Sequence, residues 1–193
     1  MKLFERIDGH FVTIIDPIEA QVITQLVGQV RELLTNSADS AADPAADPAT
    51  DSATDSAVDE PRDAAVLRLL PDAYSDDHEA AAEFRRFTAA GLAEKKMRNA
   101  DVVTLDLARS AASATPSTVE LDGASVQAWL RSLTDVRLVL AHRLGIETDD
   151  AERATTNDNE LMIGDLYDWL GWVQGSLVQV LDTTTDEPSG LAG

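Results

Sequence analysis

The chain has 193 residues, of which 44% are hydrophobic and only 5% aromatic. That suits one domain with a core built mostly from Leu, Val, Ile and Ala. Thirty-five acidic residues against fifteen basic ones give a formal net charge of −20, which repels phosphate backbones and argues against direct DNA or RNA binding. Cysteine is absent, so disulfides, thiolate metal sites and a thiol switch within the chain are excluded.

Residues 2 to 15 read as a β-hairpin. KLFERI and HFVTII are short runs rich in β-branched and aromatic residues, and Asp8-Gly9 between them is the favoured two-residue turn. An isolated hairpin is marginal in water, so it has to pack on helices. Asp16-Pro17 then opens a helix, with Asp as N-cap and Pro at the first helical position. Its broad stripe of Ile18, Val22, Ile23, Leu26, Val27, Val30, Leu33 and Leu34 predicts a buried helix to about Leu34.

Thr35 to Pro61 holds seven acids and no Lys or Arg, with Asp at 39, 43, 47, 51, 55 and 59. A helix there would stack like charges at i,i+4, and Pro44 and Pro48 would break it. With almost nothing apolar to bury, 35–61 is expected to be a disordered acidic linker. Its regular repeat reads as expansion of a short unit acting as a solvated spacer. The other reading is an acidic arm that engages a basic partner or divalent ions. Thirteen of the net negative charges lie outside it, so the folded part is acidic in its own right.

Arg62 to Leu70 reads as a short helix stopped by Pro71, burying Val66, Leu67, Leu69 and Leu70. A longer helix begins near Ser75 as N-cap and runs through Phe84 and Phe87 to about Arg98, with continuation to Ser110 left open. Ser117 to Leu121 reads as a brief extended piece after a loop. Asp122 or Ser125 then caps a helix ending near Leu144, with Gly145 in the usual C-terminal position. Trp129, Leu133, Val136 and Leu140 line one face of it, broadened by Leu130, Leu138, Val139 and Leu144.

After a polar loop over 147–159, the last helix, Leu161 to Leu181, carries apolar residues at Ile163, Leu166, Leu170, Val173, Leu177 and Val180. Those spacings of three and four are a helix seam with a core to fill. Trp169 and Trp172 widen it, which predicts burial on more than one side. Gly164, Gly171 and Gly175 inside it would permit close helix contact. The chain is thus read as mainly α (α+β), a bundle of about five helices with an N-terminal β-hairpin. Residues 1–34 and 62–182 form a single domain, and 183–193 a flexible tail. The start has no apolar run long enough for a signal peptide and no window suits a membrane span, so a soluble cytoplasmic protein is expected.

Chemistry is sparse. His10, His78 and His142 are far apart, and no paired-His, P-loop, GxGxxG or GxSxG pattern occurs. Acid pairs such as Asp76-Asp77 and Asp149-Asp150 carry no specificity in so acidic a chain. No catalytic, cofactor-binding or metal-ligating residue is assigned. Arg85, Arg86, Lys95, Lys96 and Arg98 concentrate a third of the basic residues in one helix. They are the candidate partner-binding set, against the plainer reading of a solvated face balanced by Glu83 and Glu94. In the apolar stretch SLTDVRLVLAHRLG, Arg137 and Arg143 need partners. Asp165 or Asp168 on the last helix would give Arg137 a structural ion pair that sets helix register.

Three segments together carry a family resemblance: the hairpin-plus-helix start ending LVGQVRELL, the central EFRRFT…EKKMRNAD, and the paired AWLRSLTDVRLVLAHRLGI and LYDWLGWVQGSLVQVL. They resemble an actinobacterial family catalogued as domain of unknown function 2017, also called AosR-like. The likeness covers nearly the whole chain except the acidic tract and tail. Members of that family are often encoded beside the Clp adaptor ClpS, and some are held to be transcriptional or oxidative-stress regulators. The resemblance implies a non-enzymatic cytoplasmic regulator that works through a protein partner, with a sigma factor, RNA polymerase or a Clp component as candidates. It supplies no site residue. The family's redox-sensing role relies on a cysteine pair, and this chain has none.

The resulting expectation is a regulatory protein acting through protein–protein contacts, in transcription or the oxidative-stress response. Helical seams of this kind also favour a homodimer. The alternatives are an enzyme with a carboxylate-rich site between helices and a Clp-protease-associated accessory protein.

Overall fold

Asp8 and Gly9 both take positive φ, 48° and 85°, the backbone that a tight two-residue hairpin turn requires. They fold β1 (Glu5–Ile7) onto β2 (His10–Ile15), antiparallel, with Ile7 opposite His10. The extended piece expected at Ser117–Leu121 is a third strand, β3. It pairs antiparallel with the other side of β2, placing Phe11 opposite Leu121 and Thr13 opposite Val119. β2 is therefore the central strand. Its alternate residues Phe11, Thr13 and Ile15 are buried, as a strand with one face on a core demands. Thr13 satisfies its hydroxyl by donating to the Lys2 carbonyl at 2.8 Å.

The structure is a computed structural model that describes residues 1–42, 64–71, 78–146 and 157–185. Within these residues the fold is mainly α, with five helices and this small sheet. Residues 43–61 of the expected linker, the Ser75 cap, most of the polar loop and the tail from 186 lie outside the described residues.

α1 (Pro17–Ala42) starts as the sequence implies. Asp16 Oδ1 accepts from the Ile18 N–H at 3.1 Å, and Glu19 Oε2 accepts from the Asp16 N–H at 2.9 Å. That is a reciprocal capping box. The helix runs past Leu34, where the apolar stripe ends, into the first acidic residues. Backbone hydrogen bonding needs no apolar stripe, and the first strong stop is Pro44, which disfavours helix at residue 43 before it. α2 (Ala64–Leu69) buries Ala65, Val66 and Leu69. Leu67, expected in the core, is exposed instead, because one helical turn cannot face four residues to the same side.

α3 (His78–Ala111) is a single helix through Arg98 to Ala111. α4 (Gly123–Arg143) is capped by Asp122, whose Oδ1 accepts from the Ser125 N–H at 2.7 Å. It ends with Gly145 at φ 67°. The Gly145 N–H bonds the His142 carbonyl at 3.1 Å, and the Ile146 N–H reaches Ala141 at 2.9 Å. This pair of bonds is a Schellman ending. α5 (Asp158–Thr185) begins three residues before the expected start at Leu161 and runs four residues past Leu181, into the start of the expected tail. Asn157 Oδ1 caps it, accepting from the Glu160 N–H at 3.0 Å.

Side-chain contacts set the helix directions. Gln21 near the start of α1 bonds Ala111 at the end of α3, and Arg31 pairs with Asp101, so α1 and α3 are antiparallel. Asp106 meets Trp129, while Lys96 meets Asp135, so α3 and α4 are antiparallel too. Arg137 meets Tyr167, whereas Gln174, two turns further along α5, donates to Thr134 and to Leu130 earlier in α4, so α5 returns antiparallel to α4. α4 packs against α1, α2, α3 and α5, whereas α5 packs chiefly on α4. The core runs continuously from Ile15, Ile23 and Leu34 through Leu107 and Leu121 to Trp129, Leu133, Leu170 and Leu177. Phe4 meets the Trp129 ring edge-on at 6.0 Å between centroids. No helix among the described residues is long and apolar enough to cross a membrane.

Candidate interaction surfaces

A helix advances 100° per residue, so adjacent residues point in different directions. Lys95 is exposed. Lys96 turns inward to pair with Asp135 of α4, the two side chains being 17% and 5% exposed. Arg98 is exposed and pairs with Glu94 one turn earlier. Arg85 and Arg86 belong to the same helix, and their side chains lie outside those described. The described part of the basic stretch is thus divided among an inward ion pair, a local surface pair and a solvated Lys95.

The Lys96–Asp135 pair is the buried ionic contact that the sequence did not suggest. Burial raises the Asp135 carboxyl above its ordinary range, and the Lys96 hydrogen bond and charge pull it back only in part. Desolvation outweighs attraction, as is common for buried pairs. Its sequence signal was an Asp among apolar residues of α4, in SLTDVRLVL, a position that a polar face would not explain.

Arg137 lies over the Tyr167 ring, 4.5 Å from its centroid, and donates from Nη1 to Gln174 Oε1 at 3.0 Å. Its guanidinium also fills the space beside Gly171, where an added Cβ would sit 3.4 Å from it. Gly171 therefore makes room for this arginine rather than for a backbone. Asp165 and Asp168 both sit on the exposed side of α5. Arg143, also exposed, reaches Gln29 of α1 at 3.4 Å.

A second polar contact ties α3 to α4. Trp129 Nε1–H donates to Asp106 Oδ2 at 2.9 Å. Burial raises the Asp106 carboxyl, the Trp129 hydrogen bond partly offsets this, and the charge of Asp122 raises it further. Asp122 itself is held below the ordinary range, first by the Ser125 N–H. Each of these carboxylates has a structural task, as cap, indole acceptor or lysine partner. Among the described residues no three His, Asp or Glu side chains come together as a metal site.

Between α1 and α3 lies a shallow groove of about 430 Å³, with Thr24, Gly28, Arg31, Thr35, Asp101 and Thr104 in its lining. The hydroxyls of Thr24 and Thr104 donate to the Ala20 and Ala100 carbonyls of their own helices. Arg31 and Asp101 pair at 2.9 Å, both more than half exposed.

α5 presents the most distinct surface. Its inner seam is buried at Leu170, Val173 and Leu177. On the opposite side, Leu161, Asp165, Asp168, Trp172, Gly175 and Gln179 are all exposed. Trp172 is 44% exposed and Leu161 is 51%. The expectation that flanking tryptophans bury this helix on more than one side is therefore corrected. Trp169 is half-buried, but Trp172, three residues on, has rotated away from α4.

Comparison with known proteins places the chain. A family model described as "Domain of unknown function (DUF2017)" matches residues 1–181. A relative from Mycobacterium leprae, named putative oxidative stress regulator AosR, is 28% identical over 192 residues, covering 95% of this chain and 88% of that protein. Relatives from Mycobacterium bovis and Mycobacterium tuberculosis, each named oxidative stress regulator AosR, are 29% identical over 189 residues, covering 93% of this chain and 86% of theirs. No solved structure matches the chain significantly.

Proposed function

The chain belongs to the DUF2017 family, and on that premise we propose that it is a cytoplasmic, non-enzymatic regulator of the oxidative-stress response that acts by protein–protein contact. The observation that carries this reading is the near full-length correspondence with relatives named oxidative stress regulators. The geometry supports the non-enzymatic part. Three polar groups of the described interior are spent on structure: Asp135 on Lys96, Asp106 on Trp129 and Arg137 Nη1 on Gln174, while Ser132 Oγ and Arg137 Nε are buried without a hydrogen-bond partner among the described residues.

Without cysteine, this chain has no thiol of its own to oxidise. The oxidant signal therefore enters through the redox state or abundance of a partner. A sigma factor, RNA polymerase or a Clp component is the candidate partner.

The test is deletion of the gene, followed by peroxide challenge and transcript profiling with and without a plasmid copy. The proposal expects lower survival and an altered set of stress transcripts, both restored by the plasmid. Unchanged survival and transcripts in the deletion strain would remove the regulatory reading.

A further inference from the structure

We infer that the outer face of α5 is a docking surface for a basic amphipathic helix of another protein, a reading that rests on the regulatory function above and identifies its contact surface. The argument starts from spacing. Leu161, Asp165, Asp168, Trp172, Gly175 and Gln179 recur at four, three, four, three and four residues. This is the same alternation as the buried seam on the other side of the helix, so α5 carries two stripes. The inner one is covered by α4, and the outer one is exposed along its length.

The outer stripe spans roughly 27 Å at 1.5 Å per residue, enough for about five turns of a partner helix. Leu161 and Trp172 are its exposed apolar anchors, with Met162 beside the first and half-buried Trp169 beside the second. A large exposed aromatic near the middle of a helix face is the kind of residue that dominates binding energy when covered.

Charge selects the occupant. From Asp158 to Thr185 the helix has Asp158, Glu160, Asp165, Asp168 and Asp182, and no Lys or Arg. Asp165 and Asp168 lie on the stripe itself, between the two anchors. A second copy of this chain would bring the same acids and another −20 net charge to the contact, so self-pairing over this face is opposed by like-charge repulsion. An acidic lipid surface is repelled for the same reason. What complements the face is a helix with apolar residues about eleven positions apart and Lys or Arg between them. Such a helix would cover Trp172 while pairing with Asp165 and Asp168, the usual arrangement of helix-on-helix peptide recognition.

The test uses the full chain and a fluorescein-labelled helical peptide of roughly eighteen Leu and Lys residues with one apolar stripe. The control peptide has the same composition scrambled, which keeps the charge and loses the stripe. The striped peptide should bind at least tenfold more tightly. Trp172→Glu should weaken it about tenfold or more, although the substitution adds negative charge and would strengthen a merely electrostatic association. Replacing both acids (Asp165→Asn, Asp168→Asn) should weaken binding several-fold and flatten its salt dependence. Circular dichroism checks that each variant stays folded.

Equal binding of the scrambled peptide, or unchanged affinity of Trp172→Glu, overturns the inference. So does a dimer in sedimentation that Trp172→Glu abolishes, since the face then belongs to a second copy. The two readings fail separately. If the striped peptide does not bind and a Trp172→Glu plasmid still restores peroxide survival, the surface is wrong and the regulator stands. If the deletion strain is indifferent to peroxide, the regulator falls whatever the peptide does.

Discussion

α4 and α5 look alike as sequence and behave differently in the fold. Each has an apolar seam at alternating three- and four-residue spacing and a tryptophan within it or on its flank. Trp129 of α4 is fully buried, with its ring against Phe4 and its indole N–H on Asp106. Trp172 of α5 is 44% exposed. The difference lies in what surrounds each helix: α4 is packed by four other helices, and α5 chiefly by α4. Periodicity states that a helix has a face to bury. It does not state how many neighbours will arrive.

Mutation can break this contrast or sharpen it. Trp129→Ala should have the largest effect, a loss of about 3–5 kcal/mol from cavity formation at a fully packed site, read by denaturant unfolding. A loss below about 1 kcal/mol would mean that α4 is not the centre of the core.

Next comes Asp135→Ala, which strands Lys96 in a mostly buried position and should cost about 2–3 kcal/mol. The double change of Lys96→Met with Asp135→Leu should recover most of that. Without recovery, the cost would have come from packing instead of from an unpaired cation.

Arg137→Met tests the seam between the two helices. It removes the Gln174 hydrogen bond and the contact with Tyr167, and should cost about 1–2 kcal/mol. No change in the unfolding midpoint would show that Arg137 merely covers surface.

Asp106 gives a pH signature. Its carboxyl is raised mainly by burial, so the folded state holds its proton to higher pH than the unfolded state does. Stability from this group is therefore present at low pH and is lost as pH rises through the folded value. Relative to Asp106→Asn, the native protein should lose stability as pH rises above the ordinary carboxylate range, and a difference that grows in the opposite direction would reverse the assignment.

Trp172→Ala should have the smallest effect on stability, within about 0.5 kcal/mol, while abolishing most peptide binding. A cost near that of Trp129→Ala would erase the contrast between the helices.

Local signals were legible because they act over a few residues. Asp8-Gly9, the Asp16-Pro17 start and Gly145 each fix their own backbone and are found as read, and of the two caps offered for α4, Asp122 and Ser125, the structure uses Asp122. The five helices and the hairpin follow from the same short-range chemistry, and the family resemblance is confirmed over residues 1–181. The sites were less legible. Arg85, Arg86, Lys95, Lys96 and Arg98 are neighbours in sequence, yet Lys96 faces the core and Lys95 faces solvent. Composition reports a cluster of charge, while helix rotation decides which members share a side.

The sequence alone determined the hairpin turn, the start of α1, the ending of α4, the acidity of the chain and the absence of thiol chemistry, because these depend on residue type and on neighbours a few positions away. Tertiary structure decided the rest. It made Ser117–Leu121 a third strand beside β2, matched Asp135 with Lys96 across two helices, and brought Arg137 to Gln174 and Tyr167. Among the described residues it also left one stripe of α5 uncovered. Each of these outcomes depends on pairing between segments distant along the chain, where many apolar seams are nearly equivalent partners and only the packed whole selects among them.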